Sequence, residues 1–338
     1  MDYQNPYRNN MEYSNGYNTG PGWGPDPEYE KKLARETRRC FSRIGFVYVI
    51  FLAVSSGSQW LAALVLAWTG LVWELNENLY MLISMLAMYP VAVPLTALMM
   101  KWVPGTGYPG TERWGIGKLA GFFVFSMGVL YAGNIIGTVL MGLAGLIKGE
   151  PIINDMQELV MSMETWTVLV TAVITAPIME ELVFRKFLLD RIAGYGHWTA
   201  MMVSGVIFGI AHGNFYQFFY AFGLGLIFAY VYLHTGKLRY TIGFHMLINF
   251  LGSVLPMGLL KVIESSGIIG SFLAMGNVMI MFGFMICAVV LLICCWRDLS
   301  FDRGLVVLSS GKKVRATWLN IGMGLFLLWG VLNFALSL

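Results

Sequence analysis

Nine apolar runs, each close to the length of a bilayer crossing, constrain this chain more than any other feature. They fall at about 44–73, 79–100, 119–147, 166–189, 198–213, 216–233, 240–260, 268–296 and 317–337. A helix needs roughly 20 residues to cross a hydrocarbon layer about 30 Å thick. The runs are much longer than barrel strands and lack their alternation, so helices are the expected spans. The fifth run is short, and the first and eighth are long enough to tilt or bend. The expected fold class is therefore all-α, a polytopic transmembrane helical bundle of about nine spans. Composition leads to the same place: 57% of the residues are hydrophobic and 12% charged, against about a quarter charged in soluble domains. One soluble core could not cover that much apolar surface.

Charge placement orients the bundle. With nine alternating spans and the N-terminus in the cytoplasm, every Lys and Arg except Lys148 and Lys261 falls on the inside, Arg185, Lys186, Arg191, Lys312 and Lys313 among them. Glu74, Glu77, Glu150, Asp155, Glu158, Glu164 and Glu264 collect outside. The positive-inside rule predicts this alternation, with the C-terminus outside. Residues 1–43 read as a soluble, disordered cytoplasmic tail ending in the basic collar Lys31, Lys32, Arg35, Arg38, Arg39 and Arg43. Residues 44–338 read as the transmembrane domain. No cleavable signal peptide is expected, because no apolar segment precedes residue 44. The net charge of +3 is too small to point to nucleic acid. Cys40, Cys287, Cys294 and Cys295 show neither zinc-ligand spacing nor a disulfide framework, and packing is their plain reading. Gly133 and Gly137 fit helix-to-helix contact.

A charge buried in a span costs at least a few kcal/mol, so the ionisable residues inside the runs are informative. Away from the ends of the runs they are Glu180, Glu181 and Arg185 in the fourth run, His212 in the fifth and His245 in the seventh, joined by the polar Asn249. Glu181 and Arg185 are four apart and share a helix face, where they can neutralise each other. Glu180 lies about 100° around the helix, outside that pair. Pro177 removes a backbone hydrogen bond one turn earlier. Phe208 precedes His212 by one turn, and His245 and Asn249 share a stripe. Counted from the inner ends, Glu180 lies roughly 8–15 Å deep, His245 about 8 Å, Asn249 about 14 Å and His212 roughly 18–20 Å, depths compatible with one cleft open to the cytoplasm. Taken singly, Glu181–Arg185 reads as a stabilising bridge, Phe208 as packing, and His197 and His234 as span-end residues. Five ionisable groups and an amide confined to three runs favour function.

In this order and setting, Glu180-Glu181…Arg185, Phe208…His212 and His245…Asn249 resemble the motifs of the CPBP family, the CAAX prenyl proteases and bacteriocin-processing enzymes also called the Abi family. The resemblance covers about residues 165–255. It implies an intramembrane endopeptidase of a prokaryotic cell membrane, acting on a peptide or membrane-anchored protein, prenylated or not. Glu180 would be the general base for water attack, and His212 would hold the water and protonate the leaving amine. His245 and Asn249 would donate to the oxyanion, with Glu181 and Arg185 orienting the site. A metal-free reaction is the expectation. The alternative is Zn2+ held by Glu180, His212 and His245, although the His-Glu-x-x-His spacing of helix-borne zinc sites is absent. Other intramembrane proteases fit less well: Ser204 lacks the Gly-x-Ser-Gly setting of a serine enzyme, and no Asp lies within a run. Two other functions use the same residues. One is a non-catalytic regulator or immunity factor of the same fold. The other is a proton-coupled transporter, against which the lack of visible repeats weighs.

Overall fold

The computed structural model describes residues 27–338. The first part of the expected disordered tail, residues 1–26, lies outside them. The remainder is helical: α1 runs from Pro27 to Thr69 and carries the basic collar on its exposed face. Proline suits a first helical turn, where its missing N–H leaves no bond unmade. Leu33, Thr37, Cys40, Phe41 and Ile44, spaced three and four apart, form the buried stripe that holds this extension in place. The polar residues between them conceal that stripe in a reading based on apolar runs. The stripe packs on the short helix Ser310–Trp318. There Glu30 accepts a hydrogen bond from the Ser309 amide at 3.1 Å and pairs with Lys312.

Seven further helices follow in order: α2 (Glu77–Met100), α3 (Ile116–Lys148), α4 (Thr165–Tyr195), α5 (His197–Ala211), α6 (Phe215–Thr235), α7 (Leu238–Leu260) and α8 (Ile268–Asp298). The chain closes with α9 (Ile321–Leu336), bent by 63° from Ser310–Trp318. Every expected run is helical, and no strand occurs among the described residues. By length and composition seven of these helices can cross a membrane, or eight if the bent pair counts as one span. The shortfall from nine lies in α5, whose 15 residues extend about 22 Å, less than a hydrocarbon layer, and in the lower count also in the bent pair.

Helix α6 is the most enclosed span and α8 the least. α6 packs between α3 and α5, α8 covers the far side of α3, and α1 lies against α2 and α9. Small residues set these approaches. A Cβ on Gly133 would come 2.5 Å from the Tyr220 nitrogen, and one on Gly137 2.7 Å from the Phe215 oxygen, so α3 meets α6 backbone to backbone. Where α1 crosses α9, a Cβ on Gly322 would lie against the Ser42 oxygen. Cys40 is buried, whereas Cys287, Cys294 and Cys295 are exposed along α8.

Two loops clasp the end of the bundle where α4 turns into α5. The Thr106 amide donates to the Arg191 oxygen at 3.1 Å, and the Glu112 amide to the His234 oxygen at 2.9 Å. From the other loop, the Leu305 amide donates to the Gly194 oxygen at 2.7 Å, while the His197 amide donates to the Asp302 oxygen at 2.9 Å. Glu112 accepts from the Trp114 indole at 2.8 Å, which with Lys118 nearby holds its carboxyl below the usual carboxylate range. His197 and His234 belong to this clasp, their rings 4.6 Å apart. These bonds fix the ends of α4, α5 and α6, and so the heights at which their inner residues sit.

Candidate active site

Helix α4 is irregular where it matters. Its hydrogen bonding widens to π geometry over Leu169–Thr175 and again over Leu182–Phe187, leaving the α-helical turn Ala176–Glu181 between them. Such bulges leave carbonyl groups short of backbone partners, and they recur at functional sites. Side chains from three other helices reach into these segments. Tyr48 of α1 donates to the Val183 oxygen at 2.8 Å, and Ser204 of α5 to the Phe184 oxygen at 3.1 Å. Asn249 of α7 donates to the Ala172 oxygen at 2.8 Å. Ser204 therefore fastens a helix. These contacts hold the turn bearing Glu180 and Glu181 at a defined height against α7.

Glu181 and Arg185 are both fully buried, with Oε2 and Nε 3.1 Å apart. The approach is off-line, so the contact is an ion pair without a well-directed hydrogen bond. Aromatic faces complete the guanidinium's surroundings: its carbon lies 4.4 Å from the Phe208 ring centre and 5.4 Å from that of Phe228. A buried charge needs such a counter-ion, and a desolvated cation gains on a ring face. The other Glu181 oxygen, Oε1, lies 3.1 Å from His245 Nδ1. Thr241, one turn before His245, lies beside Glu181 and donates its hydroxyl to the Leu238 oxygen at 3.0 Å. His245 is thereby held by Nδ1, which presents Nε2 to Glu180, 3.8 Å from its Oε2. That gap exceeds a direct hydrogen bond.

His212 is not within a continuous helix. It is the C-terminal cap of α5, followed by Gly213 at φ 72° and by Asn214, the N-cap of α6. The positive φ there suits only glycine without strain. Because α5 ends about 22 Å from its start, this turn lies at membrane depth, where loose backbone is costly. The Asn214 side chain resolves it, donating to the His212 oxygen at 3.0 Å and accepting from the Gln217 amide at 3.0 Å. The ring's own Nδ1 lies 2.8 Å from the Phe208 oxygen. A carbonyl can only accept, so Nδ1 carries the proton and Nε2 of the neutral ring keeps its lone pair.

Of the six residues expected from the sequence, Glu180, Glu181, Arg185, His212 and His245 lie near one another in two tiers, while Asn249, one turn beyond His245, bonds to the α4 backbone. Glu181, Arg185 and His245 are buried, whereas Glu180, His212 and Asn249 are partly exposed. Glu180 lies within electrostatic reach of His212, and of Tyr89 on α2 and Tyr220 on α6. Phe208 joins the tiers, its ring 4.8 Å from that of His212 and 5.9 Å from that of His245. Two carboxylates and one guanidinium leave one formal negative charge beside the His245 ring. Tyr48, Tyr89, Phe228 and Thr241 escape a reading of charged residues within spans. Only Thr241, one turn before His245, has a positional signal. Among the described residues no three His, Cys, Asp or Glu donors gather closely enough to hold a metal ion. Glu180, His212 and His245 do not form such a set in this arrangement.

Fold and site together define a multi-pass integral membrane protein with an acid–imidazole centre between its helices. Residues 162–251 match the family model described as Type II CAAX prenyl endopeptidase Rce1-like, a segment holding all three motifs. The chain is 27% identical over 181 residues to "Putative membrane peptidase YdiL" of Bacillus subtilis (strain 168), covering 51% of this chain and 69% of that protein. It is 36% identical over 85 residues to "Membrane-embedded CAAX protease MroQ" of Staphylococcus aureus (strain USA300), covering 22% of this chain and 34% of MroQ. No solved structure matches it. The segment bearing the three motifs is thus similar to CAAX-type membrane peptidases.

Proposed function

We propose that this protein is an intramembrane endopeptidase in which Glu180 activates water against a peptide carbonyl. The carrying observation is the division of labour among the acids. Glu181 is fully buried and engaged by both Arg185 and His245, whereas Glu180 is partly exposed and faces His245 Nε2 across 3.8 Å. One water touching both groups would span that gap. As its oxygen bonds to the carbonyl carbon, one proton passes to Glu180. His245, protonated on both nitrogens beside the Glu181 carboxylate, donates from Nε2 to the developing oxyanion. When the C–N bond breaks, the proton on Glu180 reaches the leaving nitrogen by way of His212 Nε2. Glu181 and Arg185 keep the His245 ring oriented and its charge balanced.

The substrate is a protein segment held at the membrane, as the names of the family model and of MroQ suggest, and the cleft opens to the cytoplasmic side, where the basic residues collect. The test is cleavage of membrane-anchored peptides by purified protein, followed by mass spectrometry, with Glu180→Gln as the control. The Gln variant should insert and fold normally and yield no product. Equal product from both proteins would overturn the assignment.

A further inference from the structure

Between Lys31 and Arg43, every fully exposed position of α1 is lysine or arginine: Lys31, Lys32, Arg35, Arg38, Arg39 and Arg43. At about 100° per residue these six lie within an arc of roughly 140°, opposite the buried stripe of Leu33, Thr37, Cys40, Phe41 and Ile44. An exposed helix face is favoured by opposite charges four residues apart and opposed by like ones. Here Lys31 and Arg35, Arg35 and Arg39, and Arg39 and Arg43 are like-charged pairs at that spacing, and Glu36 is the one acid between Lys31 and Arg43. Lys31 meets Glu28 at 3.8 Å, and Arg43 donates to the Trp102 oxygen at 2.8 Å. Lys32, Arg35, Arg38 and Arg39 are exposed and have no ion pair among the described residues.

The positive-inside rule accounts for cations next to the first span, but this stripe climbs away from the membrane. α1 is one unbroken helix from Pro27 to Thr69, so the stripe continues the axis of the span. From Arg43, at the apolar boundary, it rises about 18 Å to Lys31. A headgroup layer is roughly 5–8 Å thick. Even with α1 tilted by about 40°, Lys31, Lys32 and Arg35 stand beyond it. Residues 1–26 hold the acids Asp2, Glu12 and Asp26 against Arg8, too few to neutralise six cations.

We propose that this stripe docks an acidic, elongated protein segment running along α1 on the side of the membrane where the helix begins. A plane of headgroups meets only the lower cations, whereas a chain with carboxylates spaced along it meets all six. Four of the six are arginines, whose planar forks suit carboxylates. Binding at this stripe goes beyond peptide cleavage and does not depend on it.

The probe is a dye-labelled peptide with Glu at every third or fourth position over about 18 Å of helix. It is titrated by fluorescence anisotropy against the full-length protein in nanodiscs of neutral phosphatidylcholine. Wild type should bind, with an affinity that falls as salt is added. Lys31→Gln, Lys32→Gln and Arg35→Gln together should weaken binding about tenfold, or roughly twofold per exposed charge. Arg113→Gln, Lys118→Gln and Arg239→Gln together remove as much charge from exposed positions at the starts of α3 and α7. That control should stay within about twofold of wild type, because distant charges are screened. No binding by wild type, equal affinity of the stripe variant, or an equal loss in the control overturns the proposal. A second titration, in nanodiscs containing anionic phosphatidylglycerol, separates a protein partner from lipid. The gap between wild type and the stripe variant should persist there. Its collapse would mean that headgroups fill the stripe, and would overturn the proposal as well.

Discussion

His245 Nδ1 lies 3.1 Å from Glu181 Oε1, and that one contact commits Glu181 to the ring while the adjacent Glu180 stays outside it. It fixes the ring so that Nε2 faces Glu180 at 3.8 Å. Adjacent residues on a helix point about 100° apart. Only an element packed against both faces, here α7, could engage the pair together.

Glu180→Gln should remove cleavage while leaving the fold intact. The side chain is partly exposed, and the buried Glu181–Arg185 ion pair does not depend on it. The expected loss in kcat is at least about 10³-fold, the upper range for a general base. Unfolding temperature in detergent should stay within a few degrees of wild type, as read by a thermal melt on the same preparation.

Glu181→Gln and Arg185→Met should each fail by instability. Either leaves a fully buried partner charge uncompensated, which costs about 3–5 kcal/mol. Combining them removes both charges, and the double variant should recover a good part of the lost unfolding temperature. A double variant no more stable than its parents would show that the ion pair is not the reason these residues are needed.

His212→Ala should lower kcat by about 10²–10⁴-fold with little change in stability, since the ring's one hydrogen bond is to the Phe208 oxygen within its own helix. His212→Asn provides a stricter check. Its amide can donate to that oxygen but carries no proton between pH 5 and 8, so activity should stay low across a pH–rate profile.

Chelation should leave cleavage unchanged. The donors Glu180, His212 and His245 do not gather closely enough to share an ion. Activity measured before and after exhaustive dialysis against a strong chelator, with metal content determined on the same sample, checks this. Loss on dialysis and recovery with added Zn2+ would refute it.

Gly322→Ala should destabilise the protein without altering its chemistry. The new Cβ would meet the Ser42 backbone oxygen where α9 crosses α1, far along the chain from the acids. Overpacking of this kind costs about 1–3 kcal/mol. The unfolding temperature should fall, while kcat per folded molecule at low temperature stays at the wild-type value.

The sequence by itself determined that the chain is a helical membrane bundle, and it singled out Glu180, Glu181, Arg185, His212, His245 and Asn249. Both follow from local rules: apolar runs record helix length, and a charge in lipid is so costly that each one within a run stands out. It also paired Glu181 with Arg185, because spacing by four is a property of one helix. Residues 27–43 were harder, since their buried stripe is apolar only every third or fourth position and its partner is Ser310–Trp318, nearly three hundred residues away. Tertiary structure alone decided that His245 binds Glu181 and faces Glu180, that α5 stops at His212, and that Phe208 lies between Arg185 and both imidazoles. It also decided the π segments of α4. Their loosened carbonyls are satisfied by Tyr48, Ser204 and Asn249 from three other helices, and no pattern within α4 encodes donors that arrive from elsewhere in the chain.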